Sequence, residues 1–338
     1  VSEPVATAEL IEDRGEAAVS SDFFRSRPFL DAEAVTHTLR IDIGDAELLA
    51  PVLVREIPLP PSRNIDPEET YRPIEPLFDA VSPYAYPGLV PPPSERISPR
   101  YAGTTAFEMD PAEIDFSATG LVSLFLRHRL GPAPLTGTTE RTAVQIADPA
   151  LPPKSRPSDR RQIRKNLEAG YAVTLVPGPQ TTPAQRAGFL DVYEQTMRRT
   201  DAAEHYFFGA SYFDRALEAA GTWLALATAP DRSLAAASFA ATSDGFLHYY
   251  LSGSADSHLR DSPMKNVVAR LIELSAELNL PLNLGGGISP GDPLEEFKRG
   301  FANRQEPWQT SELICNPEKY ALLSADHPRG GFFPAYRA

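Results

Sequence analysis

TWLALATAPDRSLAAASFAATSDGFLHYYLSGS, residues 222–254, is three apolar runs separated by two short polar breaks. The runs 222–229, 233–242 and 246–254 read as strands, and the breaks Pro230-Asp231-Arg232 and Ser243-Asp244-Gly245 are tight-turn chemistry. Three strands joined in this way form an antiparallel meander. Pro263 then opens a helix on which Met264, Val267, Val268, Leu271, Ile272, Ser275 and Leu278 recur at the 3.6-residue spacing of one face. PLNL (281–284) reads as a short strand, Gly285-Gly286-Gly287 as a turn, 292–300 as a helix and 308–314 as a last strand.

Upstream of the meander the signals are also local. Ser158 is placed to cap a helix through Ala169, with Gly170 as a left-handed stop. YAVTLV (171–176) is a strand. Thr182 followed by Pro183 is a cap and a first-turn proline, opening a helix to Arg199 with Phe189, Val192, Tyr193 and Thr196 on one face. A shorter helix near 210–220 stops at Gly221.

The first half is less regular. Residues 1–32 are acidic and alanine-rich without a period, which predicts a poorly ordered start. VTHTLRIDI (35–43), APVLVREI (50–57), LVSLFLRHRL (121–130) and TAVQIAD (142–148) read as strands. The proline-dense stretch SPYAYPGLVPPPSERISP (82–99) is turn and extended chain, either a wrap over the core or a preformed binding wall. DPALPPKSRPS (148–158) is the linker candidate. The expected divisions are 1–32 as a loose start, 33–150 as a first domain, 151–320 as a second and 321–338 as a tail.

Composition narrows the function classes. Of 338 residues one is cysteine, Cys315, which excludes a disulfide framework and a cysteine zinc knuckle and fits a reducing cytoplasm. The six histidines show no metal-ligand spacing, no apolar run reaches the ~18 residues of a membrane span, and no basic-then-apolar leader is read at the start. The net charge of −13 is uneven: residues 1–150 hold twelve arginines, no lysine and 24 acids, whereas 151–338 are nearly neutral. Lys154, Arg156, Arg160, Arg161, Arg164 and Lys165 place six cations in twelve residues. Such a run is either a solvated face or a phosphate-binding footprint, which Lys298, Arg299 and Arg304 extend.

The order strand, helix, helix, three antiparallel strands, helix, strand, helix, strand is that of the GNAT acyltransferase fold. RRQIRKNLEAGYAVTLV (160–176), VYEQTMRRTDAAEHYFFGASYF (192–213), HYYLSGS (248–254) and LNLGGGISPGDPLEEFKRGF (282–301) together resemble the C-terminal half of the Fem family. SPYAYPG (82–88) and LFLRHRLGP (124–132) echo that family's other half more loosely. The resemblance implies an α/β (α+β) protein of tandem GNAT-like domains, each a mixed, mainly antiparallel sheet flanked by helices, with a cleft between them. It also implies transfer of an amino acid from the acceptor end of aminoacyl-tRNA onto an amine, without cofactor or metal and without DNA or membrane insertion. Ordinary acetyltransferases hold the coenzyme A pyrophosphate on a glycine-containing loop opening the main helix. The equivalent stretch here, SADSHLRDSPMKN (254–266), has no such loop, so an acyl-CoA-dependent N-acyltransferase is the second reading. A catalytically silent binding protein is the third.

The family resemblance assigns roles residue by residue. Lys298 after Phe297 stands where the family places a lysine at the ester, facing the oxyanion, with Phe297 against the terminal adenosine or in the core. Tyr250 is the tyrosine of the meander's last strand at the reaction centre, His248 on its face is a possible proton shuttle, and Arg199 matches an acceptor-contacting arginine. Tyr84, Tyr86, Ser252 and Gly286 complete the expected substrate wall. Each has a bland alternative: a solvated helix-end charge for Lys298 and Arg199, a satisfied core histidine for His248, a plain tight turn for the glycines. Members that act on a nucleotide-linked cell-wall precursor use a first-half lysine for its diphosphate. Residues 1–150 have none, and Arg25, Arg27 or Arg127 are the available substitutes. An acidic half suits an amine-bearing small molecule or peptide of a natural-product pathway better than a UDP-linked muropeptide.

Overall fold

A computed structural model describes residues 6–44, 46–58, 76–91, 109–327 and 331–338. In chain order its regular elements are β1 (Ala6–Ile11), α1 (Arg27–Ala32), β2 (His37–Asp42), β3 (Glu47–Glu56), β4 (Phe78–Val81), β5 (Ile114–Asp115), β6 (Leu121–Arg127) and β7 (Thr139–Ala147). There follow α2 (Pro157–Glu168), β8 (Ala172–Pro177), α3 (Pro183–Arg199), α4 (Ala210–Ala216), β9 (Thr222–Thr228), β10 (Leu234–Ser243) and β11 (Phe246–Ser254). The last elements are α5 (Met264–Leu278), β12 (Leu282–Gly285), α6 (Pro293–Arg299), β13 (Arg304–Ile314) and α7 (Pro317–Leu323).

The chain divides into two units, one made of residues 1–18, 34–139 and 309–338, the other of 19–33 and 140–308. These are not the divisions expected from the sequence, because both chain ends belong to the first unit and an N-terminal piece belongs to the second. The first unit orders its strands β5-β1-β2-β3-β4-β6-β13, with parallel pairs only at β1–β5 and β4–β6. Its core is aliphatic, built from Leu39, Ile41, Leu48, Val52, Leu121, Leu124 and Leu126. The expected loose start is therefore corrected from residue 6 onward. Ala6 and Ala8 are core residues of β1, which pairs antiparallel with β2 from Thr7–Asp42 to Ile11–Thr38. The acidic, alanine-rich composition of 1–32 hid this alternation of small buried side chains. Of the proline-dense stretch, 82–91 is turn and extended chain, with left-handed backbone at Ala85 and Gly88 and an isolated bridge from Val90 to Leu49, and 92–99 lies outside the described residues.

The second unit orders β7-β12-β11-β10-β9-β8, antiparallel except for β11–β12. The meander forms as its turns dictate. On one face α5 buries Val267, Val268, Leu271 and Leu274 against Ala225, Ala236, Ala240 and Leu247, a core made thin by alanine so that helix and sheet approach closely. On the other lies α3, and Gly253 of β11 is the point of closest approach: a Cβ there would stand 2.3 Å from the Val192 carbonyl oxygen. The start of α3 is the expected capping box, Thr182 accepting from Gln185 N while Gln185 accepts from Thr182 N. Helix α2 begins one residue before Ser158, because Pro157 occupies its first position; the cap is Arg156 without a side-chain bond.

Residues 19–33 are the unexpected part of this unit. Phe23, Phe24 and Phe29 are fully buried and pack on each other at 4.9–5.4 Å. The segment is riveted by Arg25, whose guanidinium reaches Asp244 in the β10–β11 turn at 2.7 Å and Asp22 at 2.8 Å. With its side chain 4% exposed, this arginine has no room for a substrate diphosphate. Arg27 is likewise held by Asp31 at 3.0 Å.

Candidate functional site

The site is set by the one parallel pair of the second unit. β11 and β12 pair only through Leu247–Leu282 and His248–Asn283. Beyond that rung β11 is bulged: Phe239 of β10 faces Leu251 and Ala240 faces Tyr249, which leaves Tyr250 unopposed. β12 ends at Gly285 with φ +76°. The strands thus lose their ladder just where Tyr250 and the triple glycine stand, and open backbone at the carboxyl ends of neighbouring parallel strands is where such sheets bind ligands.

A buried chain of hydrogen bonds fixes this opening. His248 is 2% exposed, and its Nε2 lies 3.2 Å from the Ser243 carbonyl, which only accepts. Nε2 therefore carries the hydrogen and Nδ1 accepts from the Asn283 amide at 3.1 Å. Asn283 Oδ1 in turn accepts the Gly285 N–H at 2.8 Å. Burial pushes His248 down to about 4, so the ring is neutral near pH 7. The shuttle expected from the sequence is corrected: both ring nitrogens are committed, and His248 positions the Gly285 turn through Asn283. Asn283 was missed, although a lone amide in an apolar strand before three glycines is a legible signal.

The turn itself is crowded at each glycine. A Cβ on Gly286 would stand 2.5 Å from Thr142 Oγ1, and one on Gly287 would stand 2.6 Å from Asp292 Oδ1. Asp292 caps α6, accepting from Glu295 N at 2.7 Å, and its other oxygen accepts from Ile288 N and Ser289 N at 2.6 and 3.0 Å. These backbone N–H groups hold its carboxyl below the ordinary range. Helix α6 so placed sends Lys298 back over the glycines. The residue is 8% exposed, and Nζ donates to the Gly286 carbonyl at 2.6 Å. Burial lowers its ammonium to about 8, with Asp292 opposing the shift. A buried cation at a strand opening, without a carboxylate in its hydrogen bonds among the described residues, is an electrostatic donor for developing negative charge.

The other sequence candidates separate. Tyr250 lies on the face of His248 and is ringed by Phe23, Phe24 and Phe239 at centroid distances of 5.4–5.6 Å, with its hydroxyl 2.6 Å from that of Tyr212. Ser252 shares a 2.6 Å hydrogen bond with Tyr249, the tyrosine packed toward the α5 core. Phe297 faces that same core and meets Phe301 at 5.5 Å, its filling role. Arg199 braces α3 to the exit of β11, bonding Asp256, Ser254 O and Thr196 Oγ1. Tyr84 and Tyr86 are half-buried in the first unit. In the basic strip, Arg156 pairs with Glu296 at 2.9 Å and Arg160 bonds the Ser155 carbonyl. Arg299 pairs with Glu295 and Glu296, and Arg304 with Asp148 and Glu306, so neither extends a field of free charge. Lys154, Arg161, Arg164 and Lys165 remain exposed.

The start of α5, where a pyrophosphate cradle would lie, is closed by side chains of α2. Asn166 Nδ2 donates to the Asp261 carbonyl at 2.8 Å and to Asn266 Oδ1 at 2.7 Å, and Gln162 donates to the same carbonyl at 3.1 Å. Asp159 adds a nearly buried carboxylate against Lys265 at 2.9 Å. A carboxylate at this point opposes a diphosphate. Among the described residues no group of three or more His, Cys, Asp or Glu side chains is placed to hold a metal ion, and no helix is long and apolar enough to cross a membrane.

Two units, each a mixed and mainly antiparallel array with parallel pairing within it, are tandem GNAT-like domains. Residues 153–299 match the acetyltransferase (GNAT) domain family. The chain has the Fem-like form of that fold. It is similar to FemX at 11% identity, over 84% of this chain and 90% of that one, with a TM-score of 0.52. It is similar also to the C-terminal DUF2156 domain of a putative lysylphosphatidylglycerol synthetase from Agrobacterium fabrum, at 13% identity over 92% and 93% of the two chains, with a TM-score of 0.51. No curated protein matches it. The protein thus has a GNAT-like fold; its reaction has to be argued from the site.

Proposed function

We propose that the protein is an aminoacyl-tRNA-dependent transferase that forms an amide bond between the tRNA-borne amino acid and an amine. The observation that carries this reading is Lys298, a buried ammonium held on the Gly286 carbonyl at the opening of β11 and β12. An aminoacyl ester is already activated, so the catalyst needs to align an amine with the carbonyl and stabilise the oxyanion. The amine attacks the ester carbon, Lys298 faces the developing oxyanion, and the ribose oxygen leaves with a proton. Lys154, Arg161, Arg164 and Lys165, exposed in or just before α2, suit the phosphates of an acceptor end. A small-molecule or peptide amine fits residues 1–150, which hold 24 acids and no lysine, and the committed ion pairs of Arg25 and Arg27 leave the diphosphate of a UDP-linked muropeptide without those two partners.

Acyl-CoA is the second donor to test, because the matched family is an acetyltransferase domain. The filled start of α5 stands against it. Purified protein is incubated with mixed charged tRNAs, acyl-CoA and candidate amines, with and without ribonuclease. The reading expects product that ribonuclease abolishes; product that survives ribonuclease and requires acyl-CoA overturns it. Tight binding of a UDP-linked muropeptide in direct titration overturns the acceptor assignment.

A further inference from the structure

Behind Tyr250 lies a line of oxygens that the reaction just described does not use. Tyr212 of α4 is 6% exposed, and its hydroxyl stands 2.6 Å from that of Tyr250 and 2.8 Å from Glu33 Oε1. A carboxylate only accepts, so Tyr212 gives its hydrogen to Glu33 and its oxygen accepts from Tyr250. The direction of all three groups is fixed from the far end. Phe208 stacks on Tyr212 at 4.3 Å, and Phe23, Phe24, Phe29 and Phe239 surround Tyr250, so the line runs through an apolar sleeve. Glu33 ends α1, in the N-terminal segment that the second unit takes up.

We propose that Tyr250, Tyr212 and Glu33 form a proton relay that accepts the proton shed by the attacking amine; the assignment rests on an amine acceptor, not on the identity of the acyl donor. As the amine nitrogen bonds to the acyl carbon, its N–H bond breaks and Tyr250 Oη takes the proton. Tyr250 passes its own hydrogen to Tyr212, and Tyr212 passes its own to Glu33, which becomes a neutral acid. The acyl C–O bond then breaks, and the relay runs backward to protonate the leaving oxygen, so no proton is gained or lost. Burial and the neighbouring Tyr250 and Glu33 oxygens raise Tyr212 well above the ordinary phenol range, so the transfer passes through it without a free phenolate.

Charged groups flank the line on both sides. On the Tyr250 side Arg25 is held by Asp22 and Asp244, and His248 is bonded to Ser243 and Asn283. On the Glu33 side Arg27 pairs with Asp31, Arg215 donates to the Asp31 carbonyl, and Asp214 pairs with Arg186. Glu33 is the carboxylate that meets the tyrosines. Tyr212 and Glu33 thus act through Tyr250, which is the member that meets the amine.

The test measures transfer to one amine from charged tRNA and from acyl-CoA, between pH 5 and 9, for wild type, Glu33→Gln, Glu33→Asp, Tyr212→Phe and Tyr250→Phe. Glutamine keeps the acceptor oxygen for Tyr212 but takes no proton. Glu33→Gln is expected to lower kcat by about 10²-fold, with donor KM and melting temperature unchanged. In wild type kcat/KM at the acid end requires both a neutral amine and an ionised Glu33, so its acidic limb is steeper than that of Glu33→Gln, which requires the neutral amine alone. Glu33→Asp restores part of the rate. An unchanged limb, or a loss confined to KM or to thermal stability, overturns the relay. Transfer from acyl-CoA alone overturns the donor assignment and leaves the relay to be judged on the same profile, while transfer from no donor overturns both.

Discussion

Lys298 Nζ donates to the carbonyl of Gly286 at 2.6 Å, so one hydrogen bond ties the candidate oxyanion donor to the turn that ends β12. As an oxyanion donor the lysine must be charged, and burial lowers it to about 8. Transfer is expected to decline as pH rises through about 8. Lys298→Arg should push that decline beyond the accessible range, and Lys298→Met should cost about 10²-fold and remove it. Stability moves the other way: between about 8 and the ordinary 10.5 the unfolded chain binds the proton that the folded chain has released. Wild type should therefore gain on Lys298→Met in urea unfolding as pH rises across that window. A rate profile identical in wild type and Lys298→Met removes the lysine from the mechanism.

Gly286 and Thr142 are in contact that leaves no room for a methyl. A Cβ on Gly286 meets Thr142 Oγ1 at 2.5 Å and Cγ2 at 2.7 Å. Gly286→Ala should destabilise the fold by about 1–3 kcal/mol and slow transfer by moving the carbonyl that holds Lys298. Thr142→Ala removes both offending atoms. The double variant should recover most of the stability and rate lost by Gly286→Ala. Additive losses in equilibrium unfolding show that the two sites do not meet.

Much of the second unit is legible because its signals are local. The capping box at Thr182, the proline start of α5 and the two turns of the meander depend on neighbours within a few residues. Lys298 was legible through the Fem resemblance rather than through spacing, and it stands twelve residues after the glycine whose carbonyl it meets. The N-terminal segment was not. Arg25 and Asp244 are 219 residues apart, and Glu33 and Tyr212 are 179 apart, so no window on the chain shows either pair. FFRSRPFL reads as an unpatterned tail, yet its three phenylalanines build the wall behind Tyr250. Of the two readings of His248, residue type suggests a shuttle near neutrality, while burial and two hydrogen bonds select the satisfied core histidine.

That same burial makes His248 an acid-lability element. It binds a proton at about 4 in the folded chain and at the ordinary 6.5 in the unfolded one. Stability is intact above 6.5 and is lost as pH falls from there toward 4, by up to about 3 kcal/mol. His128 in the first unit, 1% exposed and bonded to Ser311 Oγ at 2.8 Å, is lowered to about 4 by burial and behaves alike. His248→Gln should flatten the second unit's loss across this window and His128→Gln the first unit's. Parallel curves for wild type and variants, followed by chemical unfolding at each pH, refute the assignment.

Lys154, Arg161, Arg164 and Lys165 are the exposed cations that carry the tRNA reading, and their geometry makes a quantitative claim. Around the α2 axis Arg161, Arg164 and Lys165 project from the side opposite Asp159, Ile163 and Asn166, which pack inward. In a chain of net charge −13 a free cationic face attracts phosphate locally while the remainder repels it. Each phosphate it neutralises steepens the fall of log affinity with log salt by about 0.7–0.9. Replacing all four with glutamine should raise KM for charged tRNA and reduce that salt slope by about 3. Transfer from a minimal aminoacyl-nucleotide ester, which lacks the acceptor stem, should be unchanged. Arg299→Gln serves as the control, because Arg299 is already neutralised by Glu295 and Glu296 and its loss should leave the slope where it was. An undiminished slope in the quadruple variant would mean that this face does not touch the tRNA.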